Sequence, residues 1–206
     1  MVNDFIIENW KKYGSQQPIC DIGCGENIIF PFDYTRFDKA QTVSIVWNMK
    51  SSANVFGDFH HMDMFADNHF GFTISKDSFE HAEFPLQAIR EWIRILRVGG
   101  HLLLLIPGKE FKVSEDVKSK FHRWSKLIAD GDFLEYELDG GVASWISRKP
   151  SGELFLDVHY NDLVSPQEIG SILPNNASIV ESIFREEYGG GMFVIQKNKS
   201  EEQIHG

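Results

Sequence analysis

The sequence predicts an α/β fold, one open sheet with helices on both faces, and three observations carry that prediction. β-rich runs alternate with helical ones from Pro18 to Pro107. The run HLLLLIP has the unbroken apolar character of a strand buried on both faces, and Pro107 stops it. Between the first β-rich run and the segment after it stands ICDIGCGENIIF, an apolar stretch ending in an acid and two glycines one residue apart.

Taken in order, MVNDFIIENWKK reads as an amphipathic helix with Phe5, Ile6 and Trp10 on one side and Asn3 or Asp4 as cap. Asp4 and Glu8 interrupt its apolar stretch, so it does not read as a signal peptide. Pro18–Ile22 is the expected first strand, followed by the glycine loop and a helix over about Asn27–Asp38, whose start Pro31 limits. QTVSIVW (Gln41–Trp47) is β-rich and is expected as the second strand, Ala53–Phe56 as the third and Phe70–Ser75 as the fourth. PLQAIREWIRILR is the clearest helix. Leu86, Ile89, Trp92, Ile93 and Leu96 recur at helical spacing, Pro85 suits the first turn and Gly99-Gly100 the end. Beyond Pro107, Ser114–Ala129 reads as a helix and 133–160 as a hairpin around Lys149-Pro150-Ser151-Gly152. Ser165-Pro166-Gln167-Glu168 is a capping-box helix start. Ser178–Phe184 and Met192–Gln196 are the last two strands, joined across Gly189-Gly190-Gly191, and the tail 198–206 is polar.

Composition narrows the function. With 206 residues, 42% hydrophobic and 24% charged, the chain can build one sizeable core, and the expectation is a single domain over 1–206. No apolar run approaches the ~20 residues that cross a bilayer. A net charge of −10 disfavours a broad phosphate-binding surface, so no nucleic-acid partner is expected. Cys20 and Cys24 have no second pair to complete a zinc site and read as reduced thiols in a cytoplasmic protein. His60, His61, Asp63, Asp67 and His69 match no compact ligand spacing, and no metal is assigned.

A glycine loop between strand and helix lets backbone N–H groups approach a ligand, or it is merely a tight turn. A dinucleotide fingerprint would need glycine at Ile28 and an acid at the end of the second strand. PICDIGCGEN instead resembles the first motif of class I S-adenosylmethionine-dependent methyltransferases, although Asn27 replaces its last glycine. Downstream, VFGDFHHMDMF is similar to that family's next acidic segment. SKDSFEHAEFPLQAIREWIRILRVGGHLLLLIP is similar to its fourth strand, L-E-H segment, glycine turn and fifth strand. Together these motifs span about residues 18–107 in the family's order.

The resemblance implies a Rossmann-like seven-stranded sheet, mostly parallel with an antiparallel last strand, and a small lid inserted at about 108–160. It implies S-adenosylmethionine as cofactor. Gly23, Cys24 and Gly25 would pass near its methionine portion, and Asp21 would accept from the ammonium or brace the loop. Asp58 would accept from the adenine amine, Phe59 would set its backbone N–H and its ring beside the base, and Lys76 would offer a backbone contact. The family's ribose-holding acid at the end of the second strand falls at Val46, with Asn48 as an uncharged acceptor two residues later.

Transfer from a sulfonium needs alignment and exclusion of water, and a base only where the acceptor holds a proton. His81, His122 and His159 are the candidate bases, and Trp124, Trp145 and Tyr160 suit an apolar or sugar-like acceptor. The expected function is O- or N-methylation of a small molecule. The rivals are a catalytically inactive partner protein of the same fold and a nicotinamide-dependent reductase.

Overall fold

The structure is a computed structural model that describes residues 2–14, 18–25, 28–30, 32–38, 43–44, 49–50, 52–107, 146–148, 154–156, 163–185 and 190–199. In chain order its elements are α1 (Val2–Tyr13), β1 (Ile19–Ile22), β2 (Thr35–Asp38), β3 (Val43–Ser44), β4 (Met49–Lys50), β5 (Val55–Phe56) and β6 (Phe70–Lys76). They continue with a short 3-10 turn (Phe79–His81), α2 (Pro85–Ile95), β7 (Leu96–Ile106), β8 (Ile146–Arg148), β9 (Leu154–Leu156), α3 (Pro166–Ile172), β10 (Ala177–Arg185) and β11 (Gly190–Lys197). Seven strands form the main sheet in the order β10-β11-β7-β6-β1-β2-β5. From β5 to β7 all neighbours are parallel, while β11 runs antiparallel to both β7 and β10. The expected Rossmann-like sheet with its late antiparallel strand is therefore present.

Alternation along the central strands feeds two cores, because successive side chains leave a strand on opposite faces. On one face Cys20, Ile22, Leu102, Leu104, Ile106, Phe193 and Ile195 meet Ala88, Ile89, Trp92 and Ile93 of α2. On the other, Ile19, Phe72, Ile74, Leu103, Leu105, Met192 and Val194 meet Phe5 and Ile6 of α1. Leu86, expected on the buried stripe of α2, is exposed at the helix's first turn. Ser165 and Glu168 close the anticipated capping box at the start of α3: the Ser165 Oγ accepts from the Glu168 amide, and Glu168 Oε2 accepts from the Ser165 amide.

The helix expected over Asn27–Asp38 does not form there. Residues 35–38 are strand, and the described residues from Ile28 to Tyr34 are irregular. Aromatic packing accounts for this: Phe30 and Phe32 lie 5.3 and 5.6 Å from the Trp10 ring of α1, and Tyr34 meets Phe30 edge-on at 5.2 Å. Tyr34 also accepts a hydrogen bond from the Ile29 amide at 2.9 Å, a local bond that no helix needs. QTVSIVW is likewise not the second strand of the main sheet. Its described residues Val43 and Ser44 pair with β4 and β8 in a separate antiparallel sheet of order β4-β3-β8-β9. That sheet also contains β8 and β9, which run antiparallel with Ile146 in register with Leu156 and Arg148 with Leu154. The expected helix Ser114–Ala129 lies outside the described residues.

Two helix ends differ from expectation. Helix α1 already begins at Val2, so Asn3 and Asp4 sit in its first turn rather than at its cap. Helix α2 stops at Ile95, before the glycines, because Lys197 caps it: its Nζ donates to the carbonyls of Arg94 at 3.0 Å and Leu96 at 2.8 Å. A third bond from Nζ to Asn68 Oδ1, at 2.9 Å, completes the ammonium's shell.

Candidate functional site

Because β5, β2, β1, β6 and β7 are parallel, their carboxyl ends share one edge, where open α/β sheets take ligands. β1 delivers Asp21 and the glycine loop to it. Gly23 and Gly25 have φ of +72° and +54°, left-handed values that suit glycine. A Cβ on Gly23 would collide with Ser78, whereas one on Gly25 would meet nothing within 4 Å, so the second glycine faces open space. The loop is held from three sides. The Gly23 amide donates to the Phe37 carbonyl at 2.8 Å, the Ser78 hydroxyl to the Gly23 carbonyl at 3.0 Å, and the Ser52 amide to the Gly25 carbonyl at 2.6 Å. Cys24, between the glycines, is buried.

Asp21 is buried at 2% exposure, and its Oδ2 has no hydrogen-bond partner among the described residues. Burial pushes its carboxyl up to about 7, the like charge of Asp38 pushes the same way, and Lys76 and Arg36 pull against them. Asp38 thus stands beside Asp21 and ends β2, one position beyond the Ile22–Phe37 pair. This overturns the assignment of Val46 to the end of the second strand: an acid is present there after all. The residue was hidden because TRFD is less β-rich than QTVSIVW. Its spacing was the available signal, since Asp38 follows Asp21 by 17 residues.

Asp58 follows β5, and a network from α2 holds its loop. Trp92 Nε1 donates to the Phe59 carbonyl at 3.0 Å, and the Met62 amide donates to Glu91 Oε2 at 3.0 Å. Arg94 reaches the carbonyls of Met62 and Phe65 and pairs with Asp67 at 2.7 Å. The Asp58 carboxylate itself is more than half exposed. Burial alone would lift its carboxyl, but hydrogen bonds from the His60 amide and ring hold it below the usual range. The expectation of a Phe59 ring beside the base meets a ring that is buried in the core, 5.8 Å edge-on from Trp92.

Lys76 ends β6, with its Nζ 3.6 Å from Asp77 Oδ2. Asp77 takes a left-handed φ of +53° and gives its amide to the Leu105 carbonyl. Burial raises its carboxyl, with Lys76 opposing. His81 lies just beyond, its Nε2 3.7 Å from Glu80 Oε1. Asn48, His122 and His159 lie outside the described residues, as do Val46, Asn27, Trp124, Trp145 and Tyr160. An open groove of about 640 Å3 is lined in part by His60, His61, Phe84 and Gln87. Among the described residues no group of three or more His, Cys, Asp or Glu is placed to hold a metal ion, and no helix is long and apolar enough to cross a membrane.

The architecture is that of a Rossmann-like methyltransferase fold, and the comparisons agree. Residues 20–104 match a family model described as a methyltransferase domain. Among solved structures, an S-adenosylmethionine-dependent methyltransferase of Clostridium acetobutylicum superposes with a TM-score of 0.56 at 12% identity, covering 96% of this chain and 91% of its own. One from Methanosarcina mazei gives 0.52 at 17% identity, with 95% and 98% covered. A protein of Pyrococcus horikoshii gives 0.53 at 13%, with 95% and 88% covered. No curated protein sequence matches. The chain thus carries a methyltransferase-domain match over residues 20–104 and shares the fold of enzymes whose cofactor is S-adenosylmethionine.

The residues at the edge fit that group. An orphaned buried carboxylate oxygen on Asp21 suits a cationic ligand, and the open space at Gly25 admits close approach of a ligand to the backbone. Acids at the ends of β2 and beyond β5 supply acceptors for hydroxyl and amine donors.

Proposed function

We propose that this protein is a cytoplasmic enzyme that transfers the methyl group of S-adenosylmethionine to an oxygen or nitrogen of a small molecule. The observation that carries the reading is the row of three acids at one sheet edge, Asp21 near the end of β1, Asp38 ending β2 and Asp58 after β5. Asp21 takes the ammonium, Asp38 the ribose hydroxyls and Asp58 the adenine amine, while the Phe59 and Lys76 backbones flank the base. Gly23, Cys24 and Gly25 form the floor under the methionine portion. When bound, the cofactor supplies a methyl already activated on a sulfonium. The protein's work is therefore to bind, orient and keep out water.

The same acids favour activity over the inactive, partner-binding version of the fold, which Val46 in place of a ribose acid and Asn27 in place of a glycine had suggested; the Asp38 carboxylate supplies that acid. An acid ending β2 would also suit a dinucleotide, but Ile28 still stands where that fingerprint needs glycine. His81 is the described candidate base, next to the Glu80 carboxylate. His122 and His159 are the candidates from the region between β7 and α3, which we read as the acceptor-side lid. Cys20 and Cys24, both buried and neither in a disulfide, suit a reducing compartment.

Calorimetric titration with S-adenosylmethionine and S-adenosylhomocysteine, with NAD as control, tests the reading. Micromolar binding of either sulfur nucleotide, with none of NAD, is expected and leads to a screen of small hydroxyl and amine acceptors. Binding of NAD alone, or of none of the three, overturns it.

A further inference from the structure

His60 is fixed on every side that matters. Its ring lies 4.6 Å from Phe59 and 5.8 Å from Phe84, and its side chain is only 12% exposed. The Phe84 amide, just ahead of α2, donates to His60 Nε2 at 3.3 Å. An acceptor at Nε2 makes Nδ1 the protonated nitrogen of the neutral ring. Nδ1 sits 2.7 Å from Asp58 Oδ1, and the His60 amide donates to the same oxygen at 2.8 Å. Two donors thus converge on Oδ1, and no hydrogen bond reaches Oδ2 among the described residues. One carboxylate oxygen is thus engaged by the protein while the other is left for a ligand donor, on a side chain more than half exposed.

We propose that His60 is a positioning residue that sets the tautomer-specific clamp on Asp58 and so leaves Oδ2 aimed at the exocyclic amine of the adenine. The inference rests on the assignment of Asp58 to adenine made above. An exposed carboxylate without the clamp rotates about χ2 and spreads its acceptor over many directions. With the clamp, one lone pair is preorganised, and the gain goes to a ligand carrying an amine donor rather than a carbonyl at that ring position. The Phe84 bond carries the setting back to α2, so the orientation is referred to the rigid core and not to the loop alone.

The test compares binding of S-adenosylhomocysteine with its 6-oxo analogue, S-inosylhomocysteine, in the full chain. In the unaltered protein the adenosyl ligand binds more tightly. His60→Ala is expected to weaken adenosyl binding about tenfold, the size of one hydrogen bond to a charged group, with inosyl binding unchanged. His60→Asn, whose amide can donate from nearly the same place as Nδ1, is expected to restore most of the loss. Asp58→Ala is expected to abolish the preference. Thermal unfolding of each variant shows whether it is folded, and the preference between two ligands is a ratio that partial unfolding does not move. If Asp58→Ala removes the preference while His60→Ala keeps it, or if His60→Ala weakens both ligands equally, the clamp is wrong and the adenine assignment stands. If Asp58→Ala leaves the preference intact, the adenine assignment fails and the clamp falls with it.

Discussion

The two halves of the main sheet are built differently. On one side β6, β7 and β11 run for 7, 11 and 8 residues, and Leu102–Ile106 are all fully buried. On the other, β1, β2 and β5 run for 4, 4 and 2 residues and end at or near acids. The long half gains its stability from apolar burial, roughly 25 cal/mol per Å2 removed from water. The short half spends part of that gain on keeping Asp21 buried with its Oδ2 unbonded among the described residues. Stability and ligand chemistry are thus separated along the sheet, and substitutions in the two halves should differ in sign.

The sharpest contrast is between Trp92 and Asp21. Trp92 is fully buried between Phe59 and Phe79, and its N–H is satisfied. Trp92→Ala should lower stability by about 3–5 kcal/mol in denaturant unfolding, with cofactor binding lost only as the fold is lost. Asp21→Asn should do the opposite and raise the stability of the ligand-free protein while removing most cofactor affinity. With the folded carboxyl up at about 7 and the ordinary value at 3.8, the native state binds more protons than the unfolded chain between those values. Stability from this group is therefore highest below about pH 4 and declines as pH rises to about 7. A shift of that order corresponds to at most about 4 kcal/mol. The variant should show its gain at pH 8 and little of it at pH 4, and a pH series of urea unfolding curves checks this.

Smaller effects sharpen the picture. Asp38→Ala should weaken S-adenosylmethionine binding by about ten- to a hundredfold, the loss of a charged acceptor, and should let the Asp21 carboxyl titrate lower. Calorimetry and the pH series read the two consequences separately. Ser78→Ala removes the hydroxyl that donates to the Gly23 carbonyl and should cost about 1 kcal/mol, seen as a few-fold loss of affinity and a small drop in melting temperature.

The long half was also the legible half. HLLLLIP, the α2 periodicity and the Ser165–Glu168 box all say the same thing locally and globally, so β7, α2 and α3 could be read directly. The short half could not be read as well. TRFD becomes a strand because β1 on one side and β5 on the other pair with it, a tertiary fact absent from its composition. QTVSIVW has the composition, yet its described residues pair elsewhere. That exchange concealed Asp38 and made Val46 stand in its place. The left-handed turn at Gly23 and Gly25 and the place of Asp58 just after β5 were legible from the motif spacing. Ser78 and His60 were not, since what they do depends on a carbonyl 55 residues away and on a carboxylate whose rotamer no pattern encodes.

The position of β11 also has a consequence in time. It fills the slot between β7 and β10, yet it is the last of the described strands to be made. Some 84 residues separate Ile106 from Gly190. At roughly 5–20 residues per second, the leucine-rich outer edge of β7 waits about 4 to 17 s on the ribosome with its backbone unpaired. An open apolar strand edge is a template for another chain. The nascent protein is therefore most exposed to misassembly after its glycine loop has been synthesised and before β11 arrives.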